Sequence, residues 1–451
     1  MIDMQLRSEL VAIVGEQGVF TEGKPLDVMS KDHYWFSPVL KPQLAGKRAD
    51  AIVAPRSTEA LLEVVKLAVK HSIPITMRGS GTGNYGQGVP LQGGIVISTH
   101  LLKEILTLTP EYAHVQAGVK LGTIEREARR VGAELRMYPS TYATATAGGF
   151  LAGGSGGIGS ITWGSLWDEG NVLGATVVTV EDEPRVLRIS DPQELLGVIH
   201  SCGVTGIISE LTLALAPAQP WGQYVAAFDD IFTALDFGHA LSADTSIPKR
   251  LLSLHEDPLP QYYPKLVELG VAPEGKTLAL MELVIEQDAL EKHAKQHGGT
   301  VTWSSPFEHY HKKGVTLSDF TWNHTTLWAM KADPTLTYLQ DGFDAARVYE
   351  QLKTRRERFG DALIHHVEFT RGSDQDIPTP GGMTIVRYES DEQLYDIIRF
   401  SEEVGMRIAD PHSYFLDNDV RWNGQPILDA KRDWDPHGLL NPGKLKVLEA
   451  Q

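Results

Sequence analysis

Between residues 79 and 174 the chain gathers glycine into two dense runs. The first is Gly79-Ser-Gly-Thr-Gly83 with Gly86 and Gly88 close behind; the second is Gly148-Gly149 followed by Gly153-Gly-Ser-Gly-Gly157 and Gly159. Ordinary turns do not need this density, and residues without a Cβ let backbone approach a bulky ligand closely. Gly81-x-Gly83-x-x-Gly86 and Gly154-x-Gly156-x-x-Gly159 both match G-x-G-x-x-G, the pattern of a nicotinamide site, which requires a helix to follow at once. Neither continuation suits one. After Gly86 come Pro90 and three more glycines before an apolar strand at Ile95, and after Gly159 the chain runs Ser160-Ile-Thr-Trp-Gly164. Successive N–H groups in such loops can instead form a concave nest for a pyrophosphate. Arg78 would add a permanent charge, and Ser80, Thr82, Ser140, Thr141, Thr144 and Ser155 would add hydroxyl donors.

The segments around these loops read as strands and helices in alternation. Ala51–Ala54 is a short apolar strand, Ser57 is placed to cap a helix, and Leu61, Val64, Val65, Ala68 and Val69 recur at helical spacing before a second strand over 73–77. Strands are expected at 95–98 and 113–117, with a helix over 121–131. From Tyr138 to Gly174 the periodicity fails, and roughly 35 residues of loop inside a compact region usually carry function. Strand patterns return at 172–180 and 206–215, and Pro217 and Pro220 mark a boundary. Beyond it the chain is richer in His, Trp and Tyr, with a strand at 278–285 and an amphipathic helix at 391–404, and after Asp410 little regular pattern is expected.

Charge and cysteine content exclude several functions. A formal charge of −17 argues against nucleic acid and anionic membranes as partners, since binding polyphosphate depends on Lys and Arg displacing counterions. The one cysteine, Cys202, excludes an internal disulfide, a CxxC redox pair and a cysteine-ligated cluster, so redox chemistry would need an organic cofactor. Met1–Gln17 lacks the apolar core of a signal peptide, and no run of about eighteen apolar residues occurs. A cytoplasmic protein without membrane insertion is expected.

Four stretches in order resemble the FAD-binding domain of the vanillyl-alcohol oxidase and p-cresol methylhydroxylase (PCMH-type) flavoproteins. They are Ala51–Pro55 with Ile75–Gly83; Thr144–Gly157; Gly164 with Asn171–Val178, then Gly203–Glu210; and Asp435-Pro-His-Gly-Leu-Leu-Asn-Pro-Gly-Lys444. The resemblance implies an α+β fold: a two-subdomain PCMH-type FAD-binding domain over 1–220, an α+β substrate or cap domain with a mainly antiparallel sheet over 221–410, and a C-terminal segment, 411–451, returning to the cofactor. It further implies FAD contacts at Arg78, Gly79, Ser80, Gly81, Thr82, Gly83, Asn84, Pro139, Ser140, Thr141, Thr144, Ala147, Gly148, Gly149, Gly153, Gly154, Ser155, Gly157, Ile158, Gly206, Ile207, Ile208, Asn441 and Lys444. Family members often attach FAD through a His or Cys. No His stands in Gly79–Gly83 and Cys202 lies outside the loops identified with the flavin, so non-covalent FAD is expected.

The Arg78–Gly83 loop is most similar to that of glycolate oxidase and D-lactate dehydrogenase subunits, whose His-x-Gly-Asp-Gly-Asn-x-x-His type motif, associated with metal and the acid substrate, is absent here. The resemblance implies hydride transfer from a small alcohol, 2-hydroxy acid or polyol to flavin N5, with a protein base taking the hydroxyl proton. The alternative is a flavin-carrying subunit passing electrons to a partner protein rather than to oxygen. His324, in Trp322-Asn323-His324, and His412 with Tyr414, in Asp410-Pro-His-Ser-Tyr414, are favoured for proton abstraction because each places His among hydrogen-bonding neighbours. His366 follows, alternation placing it on one strand face with Glu368 and leaving His365 on the other. Arg371, Arg387 and Arg407 could clamp a carboxylate, although an exposed ion pair is the commoner fate of such residues. His309 and His311 with His324 or Glu368 could hold zinc or iron, but the spacing matches no ligand pattern and no metal is expected.

Overall fold

The computed structural model describes residues 2–306, 315–372, 377–418 and 423–449. Its first sheet grows from the β-α-β unit expected near the amino terminus. Val19–Phe20 (β1) lies antiparallel to Ala51–Val53 (β2), while β2 and Ile75–Arg78 (β3) flank Ile95–Ser98 (β4) in parallel. The helix Thr58–Lys70 joins β2 to β3, begun by the Ser57 hydroxyl accepting the Ala60 N–H at 3.2 Å. Its face of Leu61, Val64, Val65 and Ala68 is fully buried. Arg78 ends β3, and the chain passes through the glycine loop into β4 without a helix.

The second sheet is antiparallel. Ile105–Leu108 (β5), Tyr112–Gln116 (β6), Ala133–Leu135 (β7), Val172–Val178 (β8), Val186–Ile189 (β9) and Ile207–Pro217 (β10) take the order β5-β6-β10-β8-β9, with β7 also against β10. The stretch expected to be loop from Tyr138 to Gly174 contains two short helices, Ala147–Gly153 and Ser160–Trp163. Seven and four residues are too few to show a helical period among glycines. The first is started by Thr146, whose Oγ1 accepts the Gly149 N–H at 3.2 Å, and is held by burial of Phe150 and Leu151.

Residues 222–409 supply Gly222–Phe228 (β11), Lys249–His255 (β12), Thr277–Leu283 (β13), Thr300–Ser305 (β14), Leu336–Tyr338 (β15), Gln340–Gly342 (β16), Leu363–Ile364 (β17), His366–Thr370 (β18), Thr379–Gly382 (β19), Ile385–Arg387 (β20) and Arg407–Ala409 (β21). Eight form one antiparallel sheet, β14-β11-β13-β12-β18-β19-β16-β21; β15, β20 and β17 form a small second one. Alternation divides the large sheet. Leu252, Leu254, Met281, Val367 and Phe369 pack into the core shared with helices Ile231–Ala243, Val348–Phe359 and Asp391–Glu403, while Val225, Leu278 and Leu280 point the other way, towards Tyr263, Phe320 and Tyr338.

The expectation of little regular structure after Asp410 needs correction, because Gly424–Trp434 is a helix. Ile427, Ala430, Lys431 and Trp434 are its buried face, and the lysine hid that face from a hydrophobicity reading. Lys431 is matched by Asp435, with Nζ 2.5 Å from the carboxylate, and also donates to the Leu440 carbonyl. The two halves of the chain meet through buried charge: Arg250 of β12 lies 2.7 Å from Glu282 and 3.9 Å from Glu134 of β7, and its carbonyl accepts the Gly159 N–H. Among the described residues no helix is long and apolar enough to cross a membrane.

Candidate functional site

The glycine loops face each other across a cleft. Residues 78–85 form one wall, residues 139–141 and 145–156 supply much of another, and Cys202, Gly203, Gly206 and Ile208 close one side. The loops are close enough that a side chain would part them: a Cβ on Gly79 would stand 2.3 Å from Thr146 Oγ1. At Gly153 a Cβ would meet only Gln87 Nε2 at 3.7 Å, and would project into the cleft rather than into packed protein. Among the described residues, the backbone N–H groups of residues 80–84 meet no protein acceptor. They belong to residues that line the cleft.

Charge is placed behind this surface. The Arg78 guanidinium lies under Gly81 and bonds the Lys31 carbonyl, and burial lowers its pKa while Asp32 opposes the shift. Asp32 accepts the Tyr34 N–H at 3.0 Å and the Gly88 N–H at 3.1 Å; burial raises its pKa, against the lowering effect of those bonds and of Lys444 and Arg78. Lys444 is fully buried, donates to the Gly86 carbonyl, and is pushed down to about 8 by burial. Asn441 donates to the carbonyls of Gln87 and Cys202. The C-terminal segment thus returns to the loop, but these two residues grip its backbone from behind instead of lining the cleft.

Of the other residues expected at the cofactor, Arg78–Asn84, Pro139–Thr141, Gly148, Gly149, Gly153–Ser155, Gly206 and Ile208 line the cleft. Thr144, Ala147, Gly157, Ile158 and Ile207 stand one layer back: Thr144 accepts the Ser80 hydroxyl, Ala147 donates to Val119, Gly157 is packed on the Tyr138 carbonyl, Ile158 bridges Tyr138, and Ile207 pairs with Val178. Cys202, which the sequence placed away from the flavin, is on the cleft wall, as is His200, whose Nδ1 meets the Gly154 carbonyl at 2.9 Å. Asp32 and His200 carry no motif, and only the tertiary fold brings them here.

Residues 222–409 contribute Trp322, Asn323, Gln340 and Met383 to the cleft. Gln340 bonds the Tyr85 hydroxyl. Asn323 Oδ1 and Gln340 Oε1 are buried without a protein partner. The residues favoured for catalysis stand elsewhere. His412 is buried and spans Ser37 Oγ at 2.8 Å and the Tyr338 carbonyl at 3.0 Å, with burial lowering its pKa to about 4. Tyr414 packs with Leu40 and Leu44 behind the loop. His324 adjoins Asn323 and is also lowered to about 4, chiefly by burial. His366 shares a strand face with Glu368, as alternation requires, bonded to it at 2.8 Å, while His365 bonds Glu256 at 2.7 Å. Arg371 reaches the Thr162 carbonyl, and Arg387 pairs with Asp333 at 3.7 Å on the surface. His309 and His311 lie outside the described residues; among the described residues no group of three or more His, Cys, Asp or Glu is arranged to hold a metal.

Comparison with known proteins agrees with this geometry. An FAD binding domain model matches residues 49–188. The chain is 24% identical over 433 residues to the glycolate oxidase subunit GlcD of Bacillus subtilis, covering 89% of this chain and 90% of that protein. It is 34% identical over 181 residues to D-lactate dehydrogenase of Anaerostipes hadrus, covering 38% and 37%. In fold it is similar to alkyldihydroxyacetonephosphate synthase, with a TM-score of 0.71 at 16% identity, over 98% of this chain and 86% of that one. The donor set fits FAD: free N–H groups and Arg78 suit a pyrophosphate, and the glycine floor admits a flat ring system.

Proposed function

We propose that this chain, whose residues 49–188 match an FAD binding domain, is an FAD-dependent oxidoreductase of the PCMH-type FAD-linked family and that it oxidises a small hydroxylated substrate held against the wall of Trp322, Asn323, Gln340 and Met383. In this reading residues 1–220 bind the cofactor, 221–410 form the substrate domain and 411–451 brace the cofactor loop. The observation that carries the reading is that Asn323 and Gln340 line the cleft while their amide oxygens, Oδ1 and Oε1, are buried without protein partners. Buried acceptors cost free energy until a donor reaches them, and substrate hydroxyls are donors. Trp322 and Met383 supply apolar area beside them.

The substrate class is a small alcohol, 2-hydroxy acid or polyol, in keeping with relatives named glycolate oxidase and D-lactate dehydrogenase. Bound FAD supplies the hydride acceptor. The protein holds the pyrophosphate on residues 80–84, orients the substrate hydroxyl, and excludes water at the junction of its two halves. Of the histidines favoured for proton abstraction, His324 adjoins a cleft residue and stays neutral near pH 7, the form able to take a proton. In this reading FAD is held without a covalent bond: the Gly79–Gly83 loop carries no His, His200 is tied to Gly154 and packed edge-on against Trp167, and Cys202 is buried.

A second reading, a flavin-carrying subunit that passes electrons to a partner protein, is favoured by the description of the Bacillus relative as a subunit. The visible spectrum of the purified protein before and after acid precipitation tests cofactor and attachment together. Intact FAD in the supernatant supports both, colour in the pellet defeats the attachment, and a colourless protein that takes up no added FAD defeats the reading. Peroxide formed with substrate favours the oxidase, and reduction of dyes alone favours the subunit.

A further inference from the structure

Trp322 holds a backbone conformation that its side chain resists. Its φ of +53° and ψ of −139° fall where glycine is at ease and a bulky residue is strained. It immediately precedes the helix Asn323–Ala332, and both Trp322 and Asn323 line the cleft. Something must hold the chain there. The Trp322 N–H donates to Glu368 Oε1 at 2.8 Å, and that oxygen also meets Ser253 Oγ at 2.8 Å and His366 Nε2 at 2.8 Å. Hydrogen bonds to a carboxylate are the stronger kind, and this one is almost wholly buried.

The arrangement comes from strand register. In the antiparallel pair β12 and β18, Ser253 stands opposite Glu368 and His255 opposite His366, on the face away from Leu252, Leu254, Val367 and Phe369. The two imidazoles stack at 4.6 Å, and His255 Nδ1 meets the Tyr263 hydroxyl at 2.7 Å. Thr325, one turn into the helix that Trp322 precedes, meets His366 at 3.3 Å. This polar core therefore grips the chain at the Trp322 amide and again at Thr325, either side of Asn323.

We propose that Glu368 is a positioning residue: with Ser253 and His366 behind it, it fixes Trp322 in its strained conformation, so that the indole and the Asn323 amide form a preset wall for the substrate. The inference rests on reading the cleft as the active site. His366 then acts through Glu368 and Trp322 rather than on the reacting atoms.

The test uses the holoprotein with its nine tryptophans replaced by 5-fluorotryptophan, the Trp322 resonance being assigned by its loss in Trp322→Phe. Glu368→Ala should shift or split that resonance while Trp163, Trp167 and Trp434 stay in place and FAD remains stoichiometric; an unmoved Trp322 resonance overturns the proposal. Should Glu368→Ala fail to fold, Glu368→Gln carries the test in protein labelled with [15N]tryptophan. Loss of the charge must move the Trp322 backbone amide signal, and an unchanged signal overturns the proposal. For whichever of glycolate, D-lactate or glycerol turns over, Glu368→Gln should raise KM about fivefold with a smaller change in kcat, whereas a fall in kcat at unchanged KM overturns it. Failure of the wild type to take up FAD would defeat the functional reading and leave the tryptophan measurement readable.

Discussion

The two walls of the cleft are made on opposite principles. On the cofactor side, residues 79–84 and 145–156 offer backbone, with glycines where loops touch and N–H groups left for a ligand. On the side built from residues 222–409, the wall is presented by side chains whose positions are set by a buried polar core, Ser253, His255, His366 and Glu368, one layer behind. A backbone site is specified by what is missing from it, and a local run of sequence can encode that. A side-chain wall is specified by partners remote in sequence, as Trp322 is by Glu368.

Substituting Gly79 should produce the largest effect if this contrast is right. Gly79→Val would drive a side chain into Thr146 and part the loops, so FAD affinity should fall at least about a hundredfold, read by titrating FAD fluorescence with apoprotein. Affinity within a few-fold of wild type would break the account of the cofactor wall. Acid should destabilise the fold through buried histidines that join the second wall to the rest of the chain. His412 and His324 have pKa values lowered to about 4, so the fold favours their neutral forms; their stabilisation is complete above about pH 6.5 and is lost as pH falls towards 4. Denaturant midpoints should record a loss of about 2 kcal/mol per histidine between pH 6 and 4.5, and His412→Gln should flatten the slope by about one proton. An unchanged slope would reject His412 as a buried neutral group.

A smaller effect is expected at Asn323. Asn323→Leu removes one of the two unpartnered amide oxygens, and should raise KM about tenfold with FAD content intact; an unchanged KM would take Asn323 out of the substrate wall. The smallest belongs to Arg387, which pairs with Asp333 on the surface. Arg387→Ala should cost less than about 0.5 kcal/mol and leave kcat/KM unaltered, and a clear rise in KM would reinstate it as a carboxylate clamp.

Much of the cofactor side was legible. Arg78 through Asn84 line the cleft, and their placement follows from the loop's own glycines and from the absence of a helix before β4. The C-terminal pair was placed a layer too far forward: Lys444 and Asn441 hold the loop's carbonyls, a role that depends on which atoms of a distant segment are free. The short helices at 147–153 and 160–163 were missed because a turn or two shows no period. The histidines misled for a different reason. A sequence shows where His412 and His366 stand along the chain, but not that packing has enclosed both away from the cleft.

By itself, the sequence determined the close-approach loops, the cation at their edge, the need for an organic redox cofactor and the strand alternation that sends His366 and Glu368 to one face. These are properties of single residues or of neighbours along the chain. Tertiary structure alone decided that Trp322, Asn323, Gln340 and Met383 face the loops and that Cys202 and His200 join them. It also tied Trp322 to a carboxylate 46 residues away. The direction of a side chain and the identity of its partner depend on how separate sheets pack and register, and neither is fixed until the chain has closed on itself.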